Sequence, residues 1–134
     1  MSGPSGVVLD ASVGVKWFRE ESGSAEAKRI LEEAIRGDMR MAVPTHFVHE
    51  VLSVVDRRHD TGGILDAWDL MTEARIEIVP LTDEVVREAA AQCEALLCSF
   101  YDALAPAVAS LLGATLVSAD ARAHGAYPGV RLIG

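Results

Sequence analysis

Hydrophobic positions along this chain switch repeatedly between short solid runs and three-and-four spacing, and the switches mark out its elements. Val7 to Leu9 is a solid apolar run stopped by Asp10, and Ser12 is placed to cap a short helix just after it. From Ser24 to Arg36 the apolar residues Ala27, Ile30, Leu31, Ala34 and Ile35 keep helical spacing, and Gly37 ends the helix. Met39 to Val43 reads as a second strand halted by Pro44, with Thr45 opening a helix that runs to about Arg58. Its stripe of Phe47, Val48, Val51, Leu52, Val54 and Val55 sets Glu50 at the stripe's edge, beside Val54.

Thr61, Gly62 and Gly63 read as a turn before a helix carrying Ile64, Leu65, Trp68 and Met71. Ile76 to Val79 is a third strand ended by Pro80, and Thr82, Asp83 and Glu84 open the clearest helix in the sequence. A last long helix follows Ser99 and stops before Gly113. Proline is cheap only in a first turn, so Pro106 predicts a start near Asp102. Ala114 to Val117 makes a fourth strand ending at Ser118 to Asp120, and Val130 to Ile133 a possible fifth at the edge. Strands alternating with helices predict an α/β layer fold on a parallel sheet with right-handed crossovers.

Composition agrees. Half of the 134 residues are apolar and only 5% aromatic, which suits one domain over residues 1–134 with an aliphatic core. No apolar run nears the roughly 20 residues of a membrane span, and the first residues lack a signal-peptide pattern, so a cytoplasmic protein without a membrane partner is expected. Cys93 and Cys98 match no metal or redox spacing and read as reduced thiols. A net charge of −8 is opposite to the usual footprint of a nucleic-acid binder. Contact with RNA or DNA then needs a divalent cation, a local basic patch or a second subunit; an acidic surface also fits a basic protein partner.

Within the apolar stretches stand four acids: Asp10 in VVLD, Glu50 in FVHEVLSVV, Asp102 in FYDALA and Asp120 in TLVSAD. Isolated carboxylates in such surroundings need something to offset their desolvation. Ligands of open parallel sheets bind beyond the carboxyl ends of the strands, where Asp10 and Asp120 fall, and Asp102 and Glu50 start from helices on that edge. Carboxylates about 4–6 Å apart repel by roughly 1–4 kcal/mol per pair at intermediate dielectric, which a hard cation relieves. Mg²⁺, with Mn²⁺ as substitute, suits such ligands, and the chemistry that follows is hydrolysis of a phosphodiester by activated water. His46 and His49 have neither the order nor the face of a zinc motif and read as surface histidines. Lys16, Arg57 and Arg122 are candidate phosphate contacts, with Arg58 and Arg75 also near the acids in sequence.

VVLDASVGVKWF, FVHEVLSVVDRR, FYDALAPAVASLLGATLVSAD and the terminal VRLI together resemble the VapC toxins, PIN-domain ribonucleases of bacterial toxin–antitoxin pairs. The resemblance spans nearly the whole chain. It implies a PIN-like three-layer α/β/α domain with a central, mostly parallel sheet of four to five strands. It also implies a Mg²⁺-dependent endoribonuclease, dimeric, and silenced by a VapB-type antitoxin. Position by position, Asp10, Glu50, Asp102 and Asp120 match the family's metal-binding acids, and Ser12 and Ser118 its nearby hydroxyl residues. The sequence departs from the family at Ala105 and Pro106, where an aromatic or aliphatic residue and no proline is common. Two other readings stay open: a PIN scaffold that binds RNA or protein without cutting, and a Mg²⁺-binding phosphoacceptor receiver domain. The receiver needs paired acids after the first strand, an acceptor Asp after the third and a Lys near the last, a set this chain lacks.

Overall fold

Solid apolar strands require cover on both faces. The computed structural model, which describes residues 5–56 and 61–134, has that cover. Strands β1 (Ser5–Leu9), β2 (Met39–Pro44), β3 (Glu77–Val79), β4 (Thr115–Ser118) and β5 (Arg131–Leu132) form one sheet in the order β3-β2-β1-β4-β5. Every pairing is parallel, and the edge strand near the end of the chain is present, though only two residues long.

Side-chain alternation within the strands decides the layers. Val7 and Leu9 of β1, Met41 and Val43 of β2, and Val117 of β4 point to one face. There they meet Ile30 and Leu31 of α2 (Ser24–Ile35), Phe47 and Val51 of α3 (Thr45–Asp56), and Met71 of α4 (Thr61–Glu73). Val8, Ala42 and Leu116 point the other way, onto α5 (Asp83–Leu96) and α6 (Phe100–Leu112). The result is three layers, α/β/α. Two short helices, α1 (Ala11–Gly14) and α7 (Ala121–His124), follow the ends of β1 and β4.

The chain winds outward from β1 to β3, then returns to place β4 on β1's other side, with the covering helices changing face. That reversal makes the carboxyl ends of β1 and β4 the switch point of a doubly wound sheet, the crevice where such folds bind ligands. Gly14 lets the turn after β1 lie close on α3: a Cβ there would come within 2.5 Å of Phe47 Cζ.

Three local expectations need correction. Asp10, not Ser12, caps α1, because its Oδ2 accepts the backbone N–H of Ser12 at 3.1 Å. Gly62 and Gly63 lie in the first turn of α4 rather than in a turn before it, since α4 starts at Thr61. Helix α6 starts at Phe100, with Ser99 Oγ accepting Asp102 N–H at 3.2 Å, so Pro106 falls inside the helix. The predicted end of α3 near Arg58 lies outside the described residues.

Candidate active site

Parallel pairing puts the ends of β1 and β4 side by side, and Asp10 extends the ladder by donating its N–H to Val117 O at 3.0 Å. From there a chain of hydrogen bonds crosses the switch point. Ser12 Oγ accepts Ala119 N–H at 3.0 Å and lies 3.5 Å from Ser118 Oγ. Ser118 is fully buried, and its hydroxyl oxygen accepts Asp120 N–H at 3.0 Å. Asp120 in turn caps α7, Oδ1 accepting Ala123 N–H at 3.1 Å.

The link to Asp102 runs through His124, which has no exposed surface. Its Nε2 is 2.6 Å from the Asp102 carbonyl oxygen and its Nδ1 2.7 Å from Ser118 Oγ. A carbonyl only accepts, so Nε2 carries the hydrogen, and in the neutral ring the Ser118 hydroxyl donates to Nδ1. Asp10, Asp102 and Asp120 thus belong to one hydrogen-bonded frame. The Cys98 thiol reports the same proximity: burial pushes its pKa up first, then neighbouring Cys93, then the charges of Asp102 and Asp120, against a lowering backbone hydrogen bond.

Glu50 stands apart, on the exposed side of α3, with Oε1 3.2 Å from His46 Nε2. His46 stacks on Tyr101, ring centroids 4.5 Å apart, and Tyr101 adjoins Asp102. A cavity of about 370 Å³ runs alongside, lined among others by Pro44, His46, Val79, Tyr101 and Leu104. A larger one, about 520 Å³, lies at the opposite edge, where the strands begin, and includes Arg75 and Gly113 but none of the four acids. Arg75 is therefore remote from the crevice.

Among the described residues no group of three or more His, Cys, Asp or Glu side chains stands close enough to enclose an ion. The acids share a frame rather than a closed cage. Their free donors still suit a hard cation. Asp10 and Asp120 each commit one oxygen to a cap, and Asp102 shows no side-chain hydrogen bond among the described residues. Ser12, from the loop after β1, and Ser118 both hold backbone N–H groups of the loop after β4 instead of bonding the carboxylates directly.

The cations divide. Lys16 is buried, its ammonium donating to Ser22 O at 2.6 Å and pairing with Glu21 at 3.4 Å, so a phosphate contact from it is a correction to make. Arg122 is exposed and has no hydrogen bond or ion pair among the described residues. Arg57 and Arg58 lie outside the described residues. Sequence reasoning missed His124 and the His46–Tyr101 stack. The signal for the first was Pro106, which denies Asp102 its helical partner without naming the substitute.

The fold and the crevice define an α/β protein of the doubly wound parallel class, with Asp10, Asp102 and Asp120 linked through one hydrogen-bonded frame at its switch point. The chain belongs to the PIN domain family, whose sequence model matches residues 7–127. No curated protein matches it significantly in sequence. Among solved structures it is similar to a toxin–antitoxin complex from Klebsiella pneumoniae, at 18% identity and TM-score 0.76, covering 92% of this chain and 94% of that one. It is also similar to VapC20 of Mycobacterium tuberculosis, a sarcin–ricin loop cleaving toxin, at 16% identity and TM-score 0.73, covering 96% and 99%. VapBC2 of Rickettsia felis, bound to a promoter DNA fragment, matches at 16% identity and TM-score 0.70, covering 95% and 96%. At these identities the likeness is one of fold. The strand order also disposes of the receiver alternative, whose sheet runs 2-1-3-4-5.

Proposed function

We propose that residues 1–134 act as one PIN-like domain, the Mg²⁺-dependent endoribonuclease toxin of a type II toxin–antitoxin pair. The reading rests on one observation: in a PIN domain, Asp10, Asp102 and Asp120 meet in a single hydrogen-bonded frame at the switch point. Asp10, Asp102 and Asp120 would hold the ion through their free oxygens, with Glu50 at the rim. Bound there, Mg²⁺ or Mn²⁺ lowers the pKa of an attacking water and offsets charge on the phosphate. The protein's own part is positioning. Ser12 and Ser118 fix the loops carrying Asp10 and Asp120, Arg122 meets a phosphate, and the His46–Tyr101 stack offers an unpaired nucleobase a π-face beside Asp102.

The relative from Klebsiella pneumoniae is a toxin–antitoxin complex. By analogy this chain takes an antitoxin as partner; the resemblance to VapC toxins makes it VapB-type and implies that the chain pairs with a second copy of itself. Trp68 and Leu65, exposed on α4, are surfaces of the kind such contacts bury.

The test uses the chain freed of any partner, structured RNAs, and Mg²⁺, Mn²⁺ or EDTA. Cleavage should require the metal and leave 5′-phosphate and 3′-hydroxyl ends, and an added antitoxin should stop it. Undiminished cutting in EDTA, or 2′,3′-cyclic phosphate ends, overturns the mechanism. The open arrangement of the acids favours one second reading, a PIN scaffold that binds RNA without cutting. Its signature is RNA retention with no cleavage in any metal.

A further inference from the structure

Pro106 and His124 are far apart in sequence, yet they solve one problem at one atom. In an α-helix the N–H of residue 106 would donate to the carbonyl of Asp102, four residues earlier. Pro106 has no N–H, and it lies inside α6, fully buried. The Asp102 carbonyl is thereby deprived of its helical donor in a part-buried setting, where an unsatisfied acceptor is costly. His124 Nε2 sits 2.6 Å from that oxygen.

We infer that His124 is a positioning residue that replaces the donor Pro106 lacks, and by doing so ties Asp102 to Ser118 and Asp120. One imidazole spans the gap between the first turn of α6 and the end of β4. Nε2–H holds the Asp102 carbonyl, while Nδ1 holds Ser118 Oγ, the same oxygen that accepts Asp120 N–H. An ordinary helical bond at position 106 would satisfy the Asp102 carbonyl within its own helix and remove its need for a donor from outside. The proline opens the acceptor, and the histidine uses the opening to set the spacing of two acids.

The consequence for metal binding rests on the ribonuclease reading; the pairing of Pro106 with His124 does not. The test is a double-substitution cycle in the full chain, with His124→Leu, Pro106→Ala and both together, read by Mn²⁺ affinity from the EPR signal of the free ion and by thermal unfolding. His124→Leu should weaken Mn²⁺ binding about tenfold or more, the usual cost of losing a group that orients ligands. The double variant should recover most of that loss, because Pro106→Ala brings back a backbone N–H for the Asp102 carbonyl. Its fall in Tm should also be smaller than the sum of the single falls. His124→Gln, which keeps a donor near Nε2, should retain more affinity than His124→Leu and serves if the leucine variant does not fold. Additive Tm losses, or a double variant no better in Mn²⁺ affinity than His124→Leu, overturn the inference. A wild-type chain that binds no Mn²⁺ overturns the ribonuclease reading instead, and the Tm cycle then decides the Pro106–His124 pairing alone.

Discussion

Of the four acids, Asp102 is the one whose carboxylate has no hydrogen bond or ion pair among the described residues. Asp10 and Asp120 each cap a helix. Charge removal at Asp102 separates chemistry from folding. Asp102→Asn should leave stability within about 0.5 kcal/mol of wild type and lower RNA cleavage by roughly a hundredfold or more. Asp10→Ala and Asp120→Ala should lose both activity and about 1 kcal/mol of cap energy each. Equal stability losses at all three positions would contradict this division. Cys98 gives a pH dependence of defined sign. Its folded pKa is raised, chiefly by burial, so the fold favours the neutral thiol. That contribution is complete below the ordinary thiol value of 9.0 and is lost as pH climbs through the folded value. Tyr127, raised mainly by burial, acts in the same direction at higher pH. Unfolding curves at rising alkaline pH should show stability falling, less steeply in Cys98→Ala.

At the scale of elements, helix starts carry the site. Helices α5 and α6 are capped alike, by Thr82 on Val85 N–H at 3.2 Å and by Ser99 on Asp102 N–H at 3.2 Å. Each cap is worth about 1 kcal/mol, so Thr82→Ala and Ser99→Ala should lower stability similarly in denaturant titrations. Only Ser99→Ala should also lower cleavage, because only α6 carries one of the four acids in its first turn; matched activities would show that the turn holds Asp102 without help from its cap. The start of α5 was readable in sequence, as were the strand ends at Asp10, Pro80 and Asp120, since caps, prolines and solid apolar runs act locally. The layer architecture followed from strands alternating with helices. What escaped was nonlocal. Asp10 displaced Ser12 as cap because the Ser12 hydroxyl is drawn across to Ala119 N–H on the far loop, and Pro106 entered α6 because a distant histidine satisfies the carbonyl it frees. The burial of Lys16 against Ser22 depends equally on a contact that spacing does not reveal.

For the whole molecule, net charge supplies the competing explanation for any effect of divalent ions. A chain at −8 is stabilised by every cation that screens its self-repulsion, so a rise in Tm with Mg²⁺ does not by itself identify a site. Specific binding and screening differ in two respects. Screening follows ionic strength and is blind to single carboxylates, whereas a bound ion adds RT ln(1 + [L]/Kd) and depends on its ligands. At about 100 times its Kd, Mg²⁺ should add about 2.7 kcal/mol, or roughly 8–13 °C for a domain of this size. NaCl at matched ionic strength should give little of this. Asp102→Asn, which removes a proposed ligand without removing a cap, should lose most of the Mg²⁺-specific rise while keeping the response to NaCl. Differential scanning fluorimetry across the two salts measures both at once. A Mg²⁺ rise that NaCl reproduces, or that persists undiminished in Asp102→Asn, would assign the effect to screening and leave the crevice without an ion to hold.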